Sequence, residues 1–237
     1  MTYVDGFLLA VREDRKEEYR NHAASATGLF HEFGATRMVE NWGADVPDGQ
    51  VTDFRRAVKA EEGEAVLFSW VEYPDRAIRD AAMQKMMSDP RMEELGDMPF
   101  DGKRMVMGGF EPMVVHGQAD ASGFVDGFVI PVPPHRKEDY RAMAEMAAPI
   151  FLDHGALQVV EAWGTDVPRG VTTDFYRAVS AEGDEGVVFS WVIWPDRAAR
   201  DAGNAKVMND PRMKGPDDSP FNPQRMIFGG FETILDA

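Results

Sequence analysis

Seven positions of this 237-residue chain are candidates for chemistry because each occurs twice, 121 residues apart: Asp5 and Asp126, Glu40 and Glu161, Trp42 and Trp163, Asp45 and Asp166, Arg56 and Arg177, Ser69 and Ser190, Arg104 and Arg225. Two of them carry a physical argument. Asp5 stands inside the apolar run Tyr3–Val11, and Glu40 stands two residues before Trp42, on the same face of any strand that holds both. A carboxylate held against apolar surface must be paired with a cation or have its pKa raised, and a raised carboxyl can serve as a general acid or base. The candidate ligand-binding residues are therefore Asp5, Glu40, Trp42 and Arg56, with Asp126, Glu161, Trp163 and Arg177 in the second copy. Carboxylate and guanidinium would hold a carboxylate-bearing or otherwise polar small molecule, and Trp would offer an apolar face that also attracts cations. The competing reading is structural. In it, Asp5 or Glu40 forms an ion pair with Arg56 or Arg104, Trp42 and Trp70 are core, and Met83, Met86, Met87 and Met92 fill gaps in helix packing.

Other chemistries find little support. The five histidines do not repeat: His22 and His31 correspond to Met143 and Leu152, His154 to Phe33, His135 to Asp14, and His116 falls between the copies. That argues against a twofold metal site and against haem ligation, so no metal and no cofactor are expected. There is no cysteine, no phosphate-cradling glycine loop and no nucleophile elbow. With 41 acidic against 25 basic residues, the formal charge of −16 repels phosphate backbones and anionic lipid, so neither nucleic acid nor membrane is an expected partner. The N-terminal stretch has no basic head and no long apolar run, which points to the cytoplasm.

The elements that must position these residues are also written twice. Sliding the chain by 121 aligns Tyr3–Glu111 with Phe124–Glu232 without a gap, and 59 of the 109 pairs are identical. Strands are predicted at Tyr3–Val11, Ala35–Gly43, Val66–Tyr73 and Arg104–Pro112 and at their counterparts. Helical periodicity runs from Glu13 to Phe33, with Tyr19, Ala23, Ala26 and Phe30 on one face, and Gly28 and its counterpart Pro149 predict a kink in each helix. Gly34 and Gly155 supply stops, and Asp75 is placed to cap a helix reaching Ser88, where Asp89-Pro90 interrupts it. Phe54–Val58 fits either a short strand or a helical turn. Loops are expected at Gly96–Gly102 and at Gly215–Pro223, and a linker at Met113–Gly123.

Strand, helix, strand, strand, helix, strand is the order of a ferredoxin-like unit, with both helices on one face of one sheet. The third strand is apolar on both faces, so the uncovered face needs a partner, and the sister copy is the obvious one. The expected architecture is α+β, with ferredoxin-like repeats at 1–115 and 122–237 pairing sheet to sheet in one chain, as a monomer or weak homodimer.

The segments VDGF, E-x-W-G-x-D-V-P at Glu40–Pro47, F-S-W at Phe68–Trp70, S/N-D-P-R-M at Ser88–Met92 and R-M-x-x-G-G-F-E at Arg104–Glu111 resemble the YbaA-like bacterial family of the dimeric α+β barrel group. The resemblance covers nearly all of both copies and implies an intrachain pseudo-dimeric barrel. It supplies no active-site residue, because the function of that family is not established. Two functional readings follow: a small-molecule-binding protein or cofactor-independent enzyme using the barrel cavity, and a non-catalytic structural or stress-related binding module.

Overall fold

The computed structural model describes residues 2–214 and 218–237. Its first half runs β1 (Tyr3–Arg12), α1 (Lys16–Phe33), β2 (Arg37–Asp45), α2 (Phe54–Ala57), β3 (Glu64–Tyr73), α3 (Arg76–Ser88), α4 (Arg91–Glu94) and β4 (Val106–Gly117). The second half follows as β5 (Phe124–Val132), α5 (Lys137–Asp153), β6 (Gln158–Asp166), α6 (Phe175–Ala178), β7 (Gly186–Trp194), α7 (Arg197–Val207) and β8 (Ile227–Asp236). Each half is an antiparallel sheet, ordered β4-β1-β3-β2 in one and β8-β5-β7-β6 in the other, which is the ferredoxin-like order. The halves do more than face each other. Edge strand β2 pairs with β8 and β4 pairs with β6, so the eight strands close into a barrel with no free edge.

That pairing corrects the linker expected at Met113–Gly123. Met113–Gly117 belongs to β4, where Val114 lies opposite Glu161 and Gly117 opposite Gln158, so the connection shrinks to residues 118–123. His116 is therefore a strand residue, with Nε2 at 2.6 Å from Glu145. Phe54–Ala57 is helical, capped by Asp53, whose carboxylate accepts from Arg56 N. The remaining local chemistry follows the sequence closely: Asp75 accepts from Ile78 N at 2.8 Å, and Gly34 ends α1 at φ 115°. Helices α1 and α5 run without a break through Gly28 and Pro149. Of the loop expected at Gly215–Pro223, residues 215–217 lie outside the described residues.

Why both strand faces are apolar is now explicit. Outward-facing Leu9, Met38, Trp42, Leu67 and Val71 pack beneath α1 and α3, and inward-facing Val4, Leu8, Val39, Phe68 and Trp70 join their second-half counterparts inside the barrel. Equivalent aromatic residues meet there. Phe68 stacks on Phe189 with ring centroids 4.3 Å apart and planes within 1°, and Trp70 stacks on Trp191 at 4.7 Å. Phe54 against Phe231 and Phe110 against Phe175 close the arrangement edge to face at 5.3 and 5.2 Å. The interior is a packed core.

The glycine after Asp5 owes its identity to this stack. A Cβ at Gly6 would sit 3.1 Å from the Phe189 ring, and one at Gly127 would sit 2.8 Å from the Phe68 ring. Gly127→Ala should therefore destabilise the chain by about 1–3 kcal/mol through overpacking, because the stacked ring has nowhere to move. Gly28 lies mid-helix, and a methyl group added there would meet nothing within 4 Å beyond its own helix. Gly28→Ala should accordingly stabilise by about 0.5–1 kcal/mol. Urea denaturation of both variants checks the pair, and a neutral Gly127→Ala would show that the stack yields.

Candidate functional site

Glu40 lies on β2 with its side chain on the outer face, beneath α1. The register sets Ser69 of β3 directly opposite it, and the apolar face of α1 brings Tyr19 down from above. Both hydroxyls converge on one oxygen: Tyr19 donates to Oε2 at 2.7 Å and Ser69 donates to Oε2 at 2.5 Å. Among the described residues no cation reaches the carboxyl and Oε1 makes no hydrogen bond. Glu40 opens instead onto a cavity of about 380 Å³ lined mainly by Phe7, Leu9, Phe30, Met38, Phe100 and Met105, with His22 also in the wall. Met92, Leu95, Gly96 and Met98 also line it. The second half repeats the pattern. Tyr140 donates to Glu161 Oε2 at 2.7 Å, Ser190 is the cross-strand neighbour, and the cavity is about 220 Å³.

The eight residues singled out from the sequence do not assemble into one constellation per half. Strand β3 lies between β1 and β2, so Asp5 is separated from Glu40 by a strand. Asp5 meets Arg79 of α3, whose Nε donates to both carboxylate oxygens at 2.8 and 3.0 Å, while Nη1 donates to Asp166 of the other half at 2.7 Å. Asp126 likewise meets Arg200, which reaches across to Asp45 at 2.8 Å, and it also accepts from Trp194 and Asn204. Arg56 and Arg177 are at a third place. Each side chain is about half exposed and donates to a nearby loop carbonyl, that of Gly49 or Gly170. Trp42 and Trp163 share the strand face of the glutamates and lie under Lys16 and Lys137, outside the cavity walls.

The expected ion pair is found for Asp5 but with Arg79 in place of Arg56 or Arg104, and among the described residues Glu40 is in none. Arg104 binds Glu64 through two parallel contacts of 2.7 Å, and Arg225 binds Glu185 in the same way. Arg79 and Arg200 are absent from the repeated positions singled out above. Their signal is present in the sequence: D-R-A-x-R-D occurs at Asp75–Asp80 and Asp196–Asp201, and this helix start turns its second arginine into a buried carboxylate. Tyr19 and Tyr140 belong to the helical apolar face, as the periodicity predicts, but each hydroxyl is also the cap on a buried glutamate.

Their partners separate the two kinds of carboxyl. Asp5 and Asp126 are raised by burial, with contact to Arg79 or Arg200 opposing the shift. Glu40 is raised by burial with only the Ser69 and Tyr19 hydroxyls opposing, and Glu161 is pushed up to about 7 by burial, with the Tyr140 and Ser190 hydroxyls opposing. Burial also lifts Tyr19 and Tyr140 well above the ordinary phenol range, so both act as donors. A cation-free carboxyl with a raised pKa, flanked by two hydroxyls and beside an apolar cavity, can give or take one proton from a bound molecule. Among the described residues, no group of three or more His, Cys, Asp or Glu is placed to hold a metal ion, and no helix is long and apolar enough to cross a membrane.

An eight-stranded barrel made of two ferredoxin-like halves, with its cavities between sheet and helix, defines the dimeric α+β barrel class in a single chain. The family model described as Protein of unknown function (DUF1428) matches twice, over residues 2–102 and 123–223, and the chain belongs to that family as a tandem duplication. Uncharacterized protein YbaA of Escherichia coli strain K12 is 66% identical over 115 residues, covering 48% of this chain and 98% of that protein. The Shigella flexneri protein of the same description matches at the same identity and coverage. Two solved structures share the fold along its whole length. A candidate monooxygenase from Fusobacterium nucleatum aligns with TM-score 0.60 at 12% identity, covering 99% of this chain and 93% of its own. One from Lactobacillus acidophilus aligns at 0.58 and 13%, covering 100% and 95%. At those identities the likeness shows the fold alone.

The raised carboxyls tie stability to pH. Between the ordinary value of 4.5 and about 7, the folded chain keeps a proton on Glu161 that the unfolded chain has released. The group therefore lowers stability as pH rises through that window and has no effect below it. Glu161→Gln should match the parent near pH 4 and exceed it by about 3 kcal/mol at pH 8. Urea denaturation at the two pH values measures this, and a pH-independent difference would contradict the assignment.

Proposed function

We propose that the cavity around Glu40 binds a small, largely apolar, uncharged molecule bearing a hydroxyl or carbonyl, and that Glu40 holds or moves a proton on it. The observation that carries this reading is the cation-free carboxyl itself: buried, fixed through Oε2 by Tyr19 and Ser69, and in the wall of a largely apolar cavity of about 380 Å³. Sites for small molecules are typically concave and apolar with few placed polar groups, and they start at about 300 Å³. A carboxylate-bearing ligand, the class anticipated from Arg56, loses its support here, because no guanidinium lines this cavity and a second anion beside Glu40 would have to be buried without a partner. Proton transfer by a carboxyl and two hydroxyls needs no cofactor. The candidate monooxygenases that share the fold are consistent with a small-molecule role, by analogy of architecture only.

A second reading, a structural or stress-related binding module without turnover, draws on the fully packed barrel interior. Native mass spectrometry of the purified chain separates the two. The parent should retain an apolar, uncharged molecule, and Glu40→Gln should weaken its retention by about tenfold, the size expected for one hydrogen bond to a charged group. Full retention by Glu40→Gln would end the proton-handling reading, and lost stability with no ligand on the parent would favour the structural one.

A further inference from the structure

The two cavities are built on one plan but differ in what lines them. His22 in the first has Met143 in the second, Met38 has Val159, and Leu9 has Ile130. The counterparts of Leu95 and Gly96, Pro216 and Asp217, lie outside the described residues. At about 380 Å³ the first cavity is within the usual range for small-molecule sites, which begins at about 300 Å³. The second, at about 220 Å³, is below it. His22 follows Tyr19 by three positions on α1, so the two side chains share a helix face about 5–6 Å apart at Cβ. The first cavity therefore carries two polar positions, the Tyr19–Glu40–Ser69 cluster and an imidazole one helical turn along. Among the described residues, the second cavity carries only the cluster around Glu161.

We propose that the duplicated chain has a single ligand site, the cavity of the first half, and that His22 is the residue setting its specificity, for a flat apolar molecule with two polar positions. Resting on the reading of Glu40 given above, this adds the stoichiometry and the ligand class. Glu40 Oε1 takes the first hydroxyl and the His22 ring, which can donate or accept, takes the second. The second half then keeps its buried glutamate as part of the fold, with Met143 sealing the place of the imidazole.

Fluorescence titration with 2-naphthol and 2,6-dihydroxynaphthalene, uncharged fused rings with one and two hydroxyls, tests the proposal on the full chain. The parent should bind one equivalent of either probe and prefer the two-hydroxyl probe by about fivefold, the size of one neutral hydrogen bond. His22→Met places the sister half's own residue at that position and should remove the preference while leaving circular dichroism and the unfolding midpoint unchanged. Glu40→Gln should weaken both probes, and Glu161→Gln should weaken neither. Two equivalents, one lost with each glutamate, would overturn the single-site proposal and leave the Glu40 reading standing. A preference that survives His22→Met would overturn the role of His22. No binding of either probe to the parent would overturn both this inference and the reading it rests on.

Discussion

The stacking of Phe68 on Phe189 and of Trp70 on Trp191 is the contact from which the rest of the molecule follows. Each ring meets its own counterpart, so the stack fixes where the two halves sit relative to each other. Aromatic pairs contribute about 0.5–1.5 kcal/mol beyond the area they bury, and four fully buried rings remove a large apolar surface from water as well. The price in sequence is a glycine on the facing strand, Gly6 or Gly127, where any side chain would strike the ring. These rings fill the barrel where the two halves meet. Both cavities that contain a buried glutamate lie elsewhere, where helices cover the outer faces of the sheets.

The polar groups divide along the same geometry. Arg79 and Arg200 each hold a carboxylate of their own half and one of the other, which makes them clamps across the seam. Thr52 and Thr173 add reciprocal hydrogen bonds to the carbonyls of Ala178 and Ala57. Breaking a buried ion pair by removing one partner typically costs about 3–5 kcal/mol, so these arginines are fully accounted for by architecture. Glu40 and Glu161 are not. Among the described residues their only partners are hydroxyls, which leave each carboxyl easier to protonate than an ion pair would.

Much of the fold is legible in the sequence because it depends on short-range rules. The gapless repetition implies the pseudo-symmetry, the apolar parity of Val66–Val71 requires cover on both faces, and Asp75 and Gly34 mark helix ends through local hydrogen bonding and a positive φ. What cannot be read there depends on strand order and on the other half. Met113–Gly117 resembles a linker because its strand partner, β6, begins about forty residues later. Asp5 and Glu40 pass for neighbours because nothing local says that β3 runs between them. Of the candidate site, Glu40, Ser69 and their copies are visible as repeated polar positions, and Tyr19 only as helix packing. His22 is set aside because it does not repeat. Repetition is a good guide to what a shared fold needs and a poor one to what distinguishes two halves.

Closure of the barrel also has an order in time. Strands β2 and β4 are the edges of the first sheet, and their partners β8 and β6 both belong to the second half. As the chain leaves the ribosome at about 5–20 residues per second, the first sheet is complete well before either partner exists. For several seconds its two edges and its aromatic inner face, with Phe68 and Trp70, are open to any other strand in reach. The seam through β8, the final strand, forms last of all, so a nascent chain is most vulnerable to pairing with a neighbouring nascent chain when it is already half folded.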